Sequence, residues 1–102
     1  MVFVKVAQIN DLQNGKAKTV EAEGKQIALI KKDGKFFALD NICCHMGGPI
    51  GEGSLEGDTI VCPWHGWNYN IKTGVSLINP GAKVSVFPVK VEGEDVFVDI
   101  KS

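Results

Sequence analysis

The chain has 102 residues, 44% of them apolar and 23% charged, enough for one soluble domain with a modest core. Its net charge of −1 gives no electrostatic case for binding nucleic acid or an anionic membrane. The first residues turn polar at Gln8 to Asp11 without the apolar run of a signal peptide, and no stretch is long enough to span a bilayer, so a cytoplasmic protein is expected.

In chain order the pattern predicts β-structure from end to end and no helix. Val2 to Val6 reads as a strand with period two. Ile27-Ala28-Leu29-Ile30 and Phe36-Phe37-Ala38-Leu39 flank Asp33-Gly34, the signature of a tight hairpin. The lysines at this end (Lys16, Lys18, Lys25, Lys31, Lys32 and Lys35) read as a solvated strand face. Near the C-terminus, Val84 to Phe87 and Val89 to Val91 lead into a turn at Gly93, and Val96 to Ile100 alternates, giving a second hairpin.

The middle is different. Eight of the twelve glycines fall between Gly47 and Gly81, together with Pro49, Pro63 and Pro80, which favours turns and close backbone approach over regular strands. Only Glu52, Glu56, Asp58 and Lys72 are charged between Asn41 and Pro80. A loop-rich but weakly charged segment suits a cap around something neutral and apolar. Trp67 and Tyr69 are expected to alternate along a strand, with core packing as their first role.

The chemistry is concentrated in that segment. All three cysteines and both histidines lie between positions 43 and 65. Cys43-Cys44-His45 and Cys62-Pro63-Trp64-His65 form Cys-x-His and, sixteen residues later, Cys-x-x-His. An odd cysteine count argues against a closed disulfide framework and for a reducing compartment. Three readings stand: residues that bind no metal, a structural Cys2His2 zinc site, and a [2Fe–2S] cluster with mixed ligands. Zinc sites commonly pair cysteine with cysteine and histidine with histidine. Here each loop supplies one of each, an order that suits two loops clamping a two-iron rhomb.

These segments, with Gly66 after the second histidine, resemble the motif of the Rieske family. The likeness extends to Gly47, Tyr69, Thr73-Gly74 and Asn79-Pro80-Gly81, the last similar to the family's proline loop. It covers essentially the whole chain and is a likeness to the free-standing Rieske-type ferredoxins of bacterial ring-hydroxylating dioxygenase systems. The resemblance implies an all-β Rieske iron–sulfur fold: a small antiparallel β base with an inserted cluster-binding subdomain at 41–81, within a single domain 1–102. It implies that Cys43 and Cys62 bind one iron and His45 and His65 the other.

Departures from the family's high-potential branch carry information. The half-cystines of that branch's extra disulfide would fall at Gly48 and Trp64, so the bridge is absent here. Its serine after His-Gly, which bonds a bridging sulfide, is replaced by Trp67, whereas the tyrosine that bonds a ligand cysteine is kept as Tyr69. Fewer donors to sulfur predict a potential in the lower part of the roughly −150 to +300 mV Rieske range.

The function so implied is that of a non-catalytic, monomeric one-electron carrier between a flavin-dependent reductase and a terminal oxygenase. A small subunit of an NADH-dependent nitrite reductase or another multicomponent oxidoreductase is the alternative, and a zinc-stabilised binding module is an alternative of another class. Cys44 reads as a small buried filler, and Met46, Pro49, Trp64 and Pro80 as an apolar docking rim.

Overall fold

The computed structural model describes residues 2–41, 49–63, 66–78 and 81–100. Among them the chain forms ten strands and two 3-10 turns, Ile9–Asp11 and Ile50–Glu52, with no α-helix. The all-β expectation therefore holds. No helix among the described residues is long and apolar enough to cross a membrane.

The strands make three antiparallel sheets. The first joins the two ends of the chain: β1 (Phe3–Gln8) pairs with β10 (Asp95–Asp99), which pairs with β9 (Val89–Glu92). The second runs β2 (Lys16–Ala22), β3 (Lys25–Lys32), β4 (Lys35–Asp40) and β8 (Val86–Phe87). The third is β5 (Ser54–Glu56), β6 (Thr59–Val61) and β7 (Asn68–Asn70).

The β3–β4 hairpin forms where the sequence places it. Lys32 pairs with Lys35 across a two-residue turn, with Asp33 at φ 53° and Gly34 at φ 78°. Two successive left-handed residues match the right-handed twist of the strands, and Asp-Gly tolerates that conformation better than most pairs. The C-terminal hairpin is also present, with Glu92 opposite Asp95.

The apolar run in β3 explains the layering. Ile27, Ala28, Leu29 and Ile30 are all fully buried, so both faces of this strand are covered. Ile27 and Leu29 join Val20, Ala38, Phe87, Val96, Val98 and Ile100 in one apolar cluster. Ala28 and Ile30 point the other way, into a second cluster with Leu39, Ile50, Ile60, Cys62, Tyr69, Ile71 and Val84. The central sheet is thus packed on one side against the sheet of the chain ends and on the other against β5–β7.

The glycine-rich middle corrects one expectation. It is not only turns: three strands of three residues each pair within it. Trp67 and Tyr69 lie two residues apart and pack on the same apolar cluster, Tyr69 fully buried and Trp67 at its margin, so both face the core. Strand β2 is a further element that the pattern did not single out.

The lysines are more tied down than a bare solvated face. The Lys31 amine donates to the Ile9 carbonyl at 3.0 Å and lies 5.4 Å from the Phe36 ring centre. Lys25 donates to the Ile100 carbonyl at 3.1 Å, linking the central sheet to the terminal one. Lys32 pairs with Asp58 in the β5–β6 turn, and its hydrogen bond and charge, followed by the charge of Lys72, hold the Asp58 carboxyl below its ordinary pKa.

Candidate metal centre

Of the four residues proposed as ligands, one is described. Cys62 directly follows β6, is 1% exposed, and packs in the cluster that holds Ile60 and Tyr69. Cys43, His45 and His65 lie outside the described residues, as do Cys44, Met46, Gly47, Gly48, Trp64, Asn79 and Pro80.

The chain around these positions is described, and it shows how the fold presents them. The Cys62 N–H donates to the Trp67 carbonyl at 2.6 Å, closing the β6–β7 hairpin around residues 63–66. Pro63 and Gly66 are exposed within that hairpin loop, and Gly66 adopts φ 71°. Below it, Val61 pairs with Asn68 and Ile60 with Tyr69, so the second ligand loop sits on a short ladder anchored in the core.

The segment carrying Cys43 and His45 leaves the end of β4 at Asn41 and returns at Pro49. Its two ends are joined: the Ile50 N–H donates to the Asn41 carbonyl at 2.8 Å. A third loop is closed where the Ser76 N–H donates to the Ala82 carbonyl at 2.9 Å, and the Leu77 N–H reaches the Asn68 carbonyl of β7 at 3.3 Å. Leu77 and Ile78, immediately before Asn79-Pro80, are 57% and 55% exposed.

The three loop necks converge on one apolar cluster through Ile50, Cys62, Tyr69 and Val84. A thiolate is costly in such surroundings unless a cation neutralises it. Cys62 therefore fits a metal ligand whose charge is cancelled by iron, and a dry neighbourhood suits a cluster that is formally uncharged when oxidised. Two thiolates and two neutral imidazoles give that balance.

The motif identified the candidate ligands but not what fastens their loops. Asn41, Thr19 and Gly51 form a hydrogen-bonded knot, buried at Asn41 and Gly51 and half-buried at Thr19, at the neck of the first candidate ligand loop, and the metal motif includes none of them. The signal that could have found Asn41 is its place, two residues before Cys43, at the end of an apolar strand.

Comparison with known proteins gives a consistent picture. The model of one family, the Rieske [2Fe-2S] domain, matches residues 2–96. The ferredoxin component of the naphthalene 1,2-dioxygenase system of Pseudomonas aeruginosa is 32% identical over 99 residues, covering 96% of this chain and 95% of that protein. Apoptosis-inducing factor 3 of Homo sapiens is 39% identical over 94 residues, but this chain spans only 16% of its length. Among solved structures, a chain in the complex of reduced oxygenase and oxidised ferredoxin in carbazole 1,9a-dioxygenase matches with a TM-score of 0.87. The identity is 32%, with 95% of this chain and 92% of that one covered.

Proposed function

The chain belongs to the Rieske [2Fe-2S] domain family, and on that premise we propose that it is a soluble, cytoplasmic, monomeric carrier of single electrons. It takes them from a flavin-dependent reductase and passes them to a terminal oxygenase. Its cofactor is a Rieske-type [2Fe–2S] cluster, which sets aside the zinc alternative. The observation that carries the carrier reading is the end-to-end match with a ferredoxin component, 96% of one chain against 95% of the other.

In this reading the whole chain, 1–102, is one domain and 41–81 is its cluster-binding part. Cys43 and Cys62 supply thiolates to one iron, and His45 and His65 supply imidazoles to the other. When bound, the cluster accepts and releases one electron at a time. The protein contributes placement and electrostatics: Cys62 is held by the β6–β7 hairpin, and the packing of Tyr69 and Ile60 excludes water from its side. No catalytic residue is assigned.

His45 and His65 each keep one ring nitrogen off the metal. Ferric iron lowers the pKa of a ligating imidazole and reduction raises it, so reduction takes up a proton once the oxidised form has lost one. The potential is therefore expected to fall with pH in the alkaline range. At neutral pH it should lie in the lower part of the roughly −150 to +300 mV Rieske range, because Trp67 replaces a sulfide-bonding serine and the inter-loop disulfide is absent. Protein-film voltammetry from neutral to alkaline pH checks both points. A value near the top of that range contradicts the first, and a flat pH profile contradicts ligation by accessible histidines. Purification from native extract separates the shuttle from the subunit alternative: a shuttle elutes alone, whereas a nitrite reductase subunit stays with its larger partner.

A further inference from the structure

The neck of the first ligand loop is built around a single side chain. Asn41 is 2% exposed, and all of its polar groups are engaged. Its backbone N–H donates to the Gln26 carbonyl at 3.1 Å, and its own carbonyl accepts the Ile50 N–H at 2.8 Å. Its Oδ1 accepts the Gly51 N–H at 2.6 Å and the Thr19 hydroxyl at 3.1 Å. Its Nδ2 donates toward Gln26 Oε1 at 3.4 Å. The residue that starts the loop is thereby bonded to both residues, Ile50 and Gly51, that follow its end, and also to β2 and β3.

A second observation shows that the neighbourhood is fitted to this knot. A Cβ on Gly51 would lie 2.6 Å from Thr19 Oγ1, 2.7 Å from Asn41 Oδ1 and 2.8 Å from the Thr19 backbone nitrogen. Real Cβ atoms do not approach that closely, so only glycine lets the 3-10 turn come down onto the Asn41 amide. Gly51 is itself buried, so the contact is not a feature of a loose surface loop.

We infer that Asn41 is a positioning residue for the cluster: its carboxamide clamps the neck of the loop that carries Cys43 and His45, and so sets where those two ligands are held. This rests on the reading that Cys43 and His45 are ligands. Asn41 stands two residues before Cys43 in the chain, so the clamp acts on that ligand through the backbone of the loop. Its effect should appear in how long the cluster is retained and how uniformly it is held, rather than in whether the β base folds.

The test compares the purified holoprotein with Asn41→Ala, Asn41→Asp and Thr19→Val. Loss of visible absorption in EDTA reports retention, the electron paramagnetic resonance line width of the dithionite-reduced protein reports uniformity, and far-ultraviolet circular dichroism reports the fold. Removing the Asn41 amide leaves the buried Gly51 N–H without its acceptor, so Asn41→Ala should keep its β spectrum but lose the cluster roughly tenfold faster, with broadened lines. Asn41→Asp keeps an oxygen for Gly51 and Thr19 but loses the Nδ2 donor and buries a carboxylate, so it should restore retention only in part. Val98→Ala, in the other apolar cluster, should lower stability without hastening loss.

Wild-type retention and line width in Asn41→Ala would overturn the inference. If Asn41→Ala does not fold, Thr19→Val decides: faster loss supports the clamp and an unchanged rate overturns it. A wild-type protein that carries no iron overturns the cluster assignment instead. In that case amide exchange at Gly51, slow in wild type and fast in Asn41→Ala, still reports whether the knot exists.

Discussion

Cys62→Ser is expected to give a folded but colourless protein. A serine hydroxyl stays protonated at neutral pH and is a hard oxygen donor, whereas iron–sulfur clusters are held by soft thiolates. Losing a residue that merely supports a ligand costs about 10- to 100-fold in metal affinity, so losing the ligand itself should cost more than about 100-fold. Burial adds to the effect. Cys62 is 1% exposed among Ile60, Tyr69, Ile71 and Val84, so a replacement must fit an apolar, close-packed site. Cys62→Ala, which has no donor atom at all, should be as colourless as Cys62→Ser. Iron analysis, visible absorption and a urea melt on the two variants check this. Iron retained at the wild-type level in either variant would remove Cys62 from the ligand set.

The second large effect is expected at Tyr69. Among the described residues this is the largest fully buried side chain; it lies at the centre of β7, opposite Ile60, and packs in the cluster between β5–β7 and the central sheet. Tyr69→Ala should cost about 3–5 kcal/mol, as for other large aromatic truncations in a core. Against a typical total of about 5–15 kcal/mol, that is a major share of the stability. Tyr69→Phe separates volume from the hydroxyl. It keeps the packing and should cost no more than about 1.5 kcal/mol, the usual net worth of one hydrogen bond. Its potential should also fall if Tyr69 bonds a ligand cysteine, as the resemblance implies. Urea denaturation measures the first and voltammetry the second. A loss below about 1 kcal/mol for Tyr69→Ala would mean that β7 is not anchored by this ring.

The parts of the fold that were legible in the sequence are those with enough residues to show a pattern. The Asp33-Gly34 turn could be read because a tight hairpin demands that chemistry, and the C-terminal hairpin because its last strand alternates over five positions. The run Ile27 to Ile30 marked a strand, and its lack of alternation carried the further information that both faces are covered. Strands β5 and β6 were not legible, and of β7 only the expectation of a strand through Trp67 and Tyr69 was available. Each is three residues long, too short for periodicity, and β7 is Asn-Tyr-Asn, whose asparagines are poor strand formers. They form because Ile60 and Tyr69 are buried against the central sheet, a tertiary effect that local pattern does not contain.

The candidate site divides in the same way. Candidate ligands could be named because soft metals restrict the donor types and loops restrict their spacing. The knot of Asn41, Thr19 and Gly51 could not be, because nothing in the order of residues says that positions 19 and 51 meet at position 41. Asparagine and threonine are ordinary residues of turns and strands until the fold closes around them. Likewise, the glycine at position 51 looks like any other in the middle segment until the close approach of Thr19 is seen.

The central claim is that this chain holds a Rieske cluster, and one preparation tests it most directly. Protein purified without oxygen should be coloured, contain about two irons per chain, and bleach on addition of dithionite. The reduced sample should give the electron paramagnetic resonance signal of a one-electron-reduced two-iron centre with nitrogen ligands. A colourless protein with one zinc per chain, unchanged by dithionite, would contradict the account.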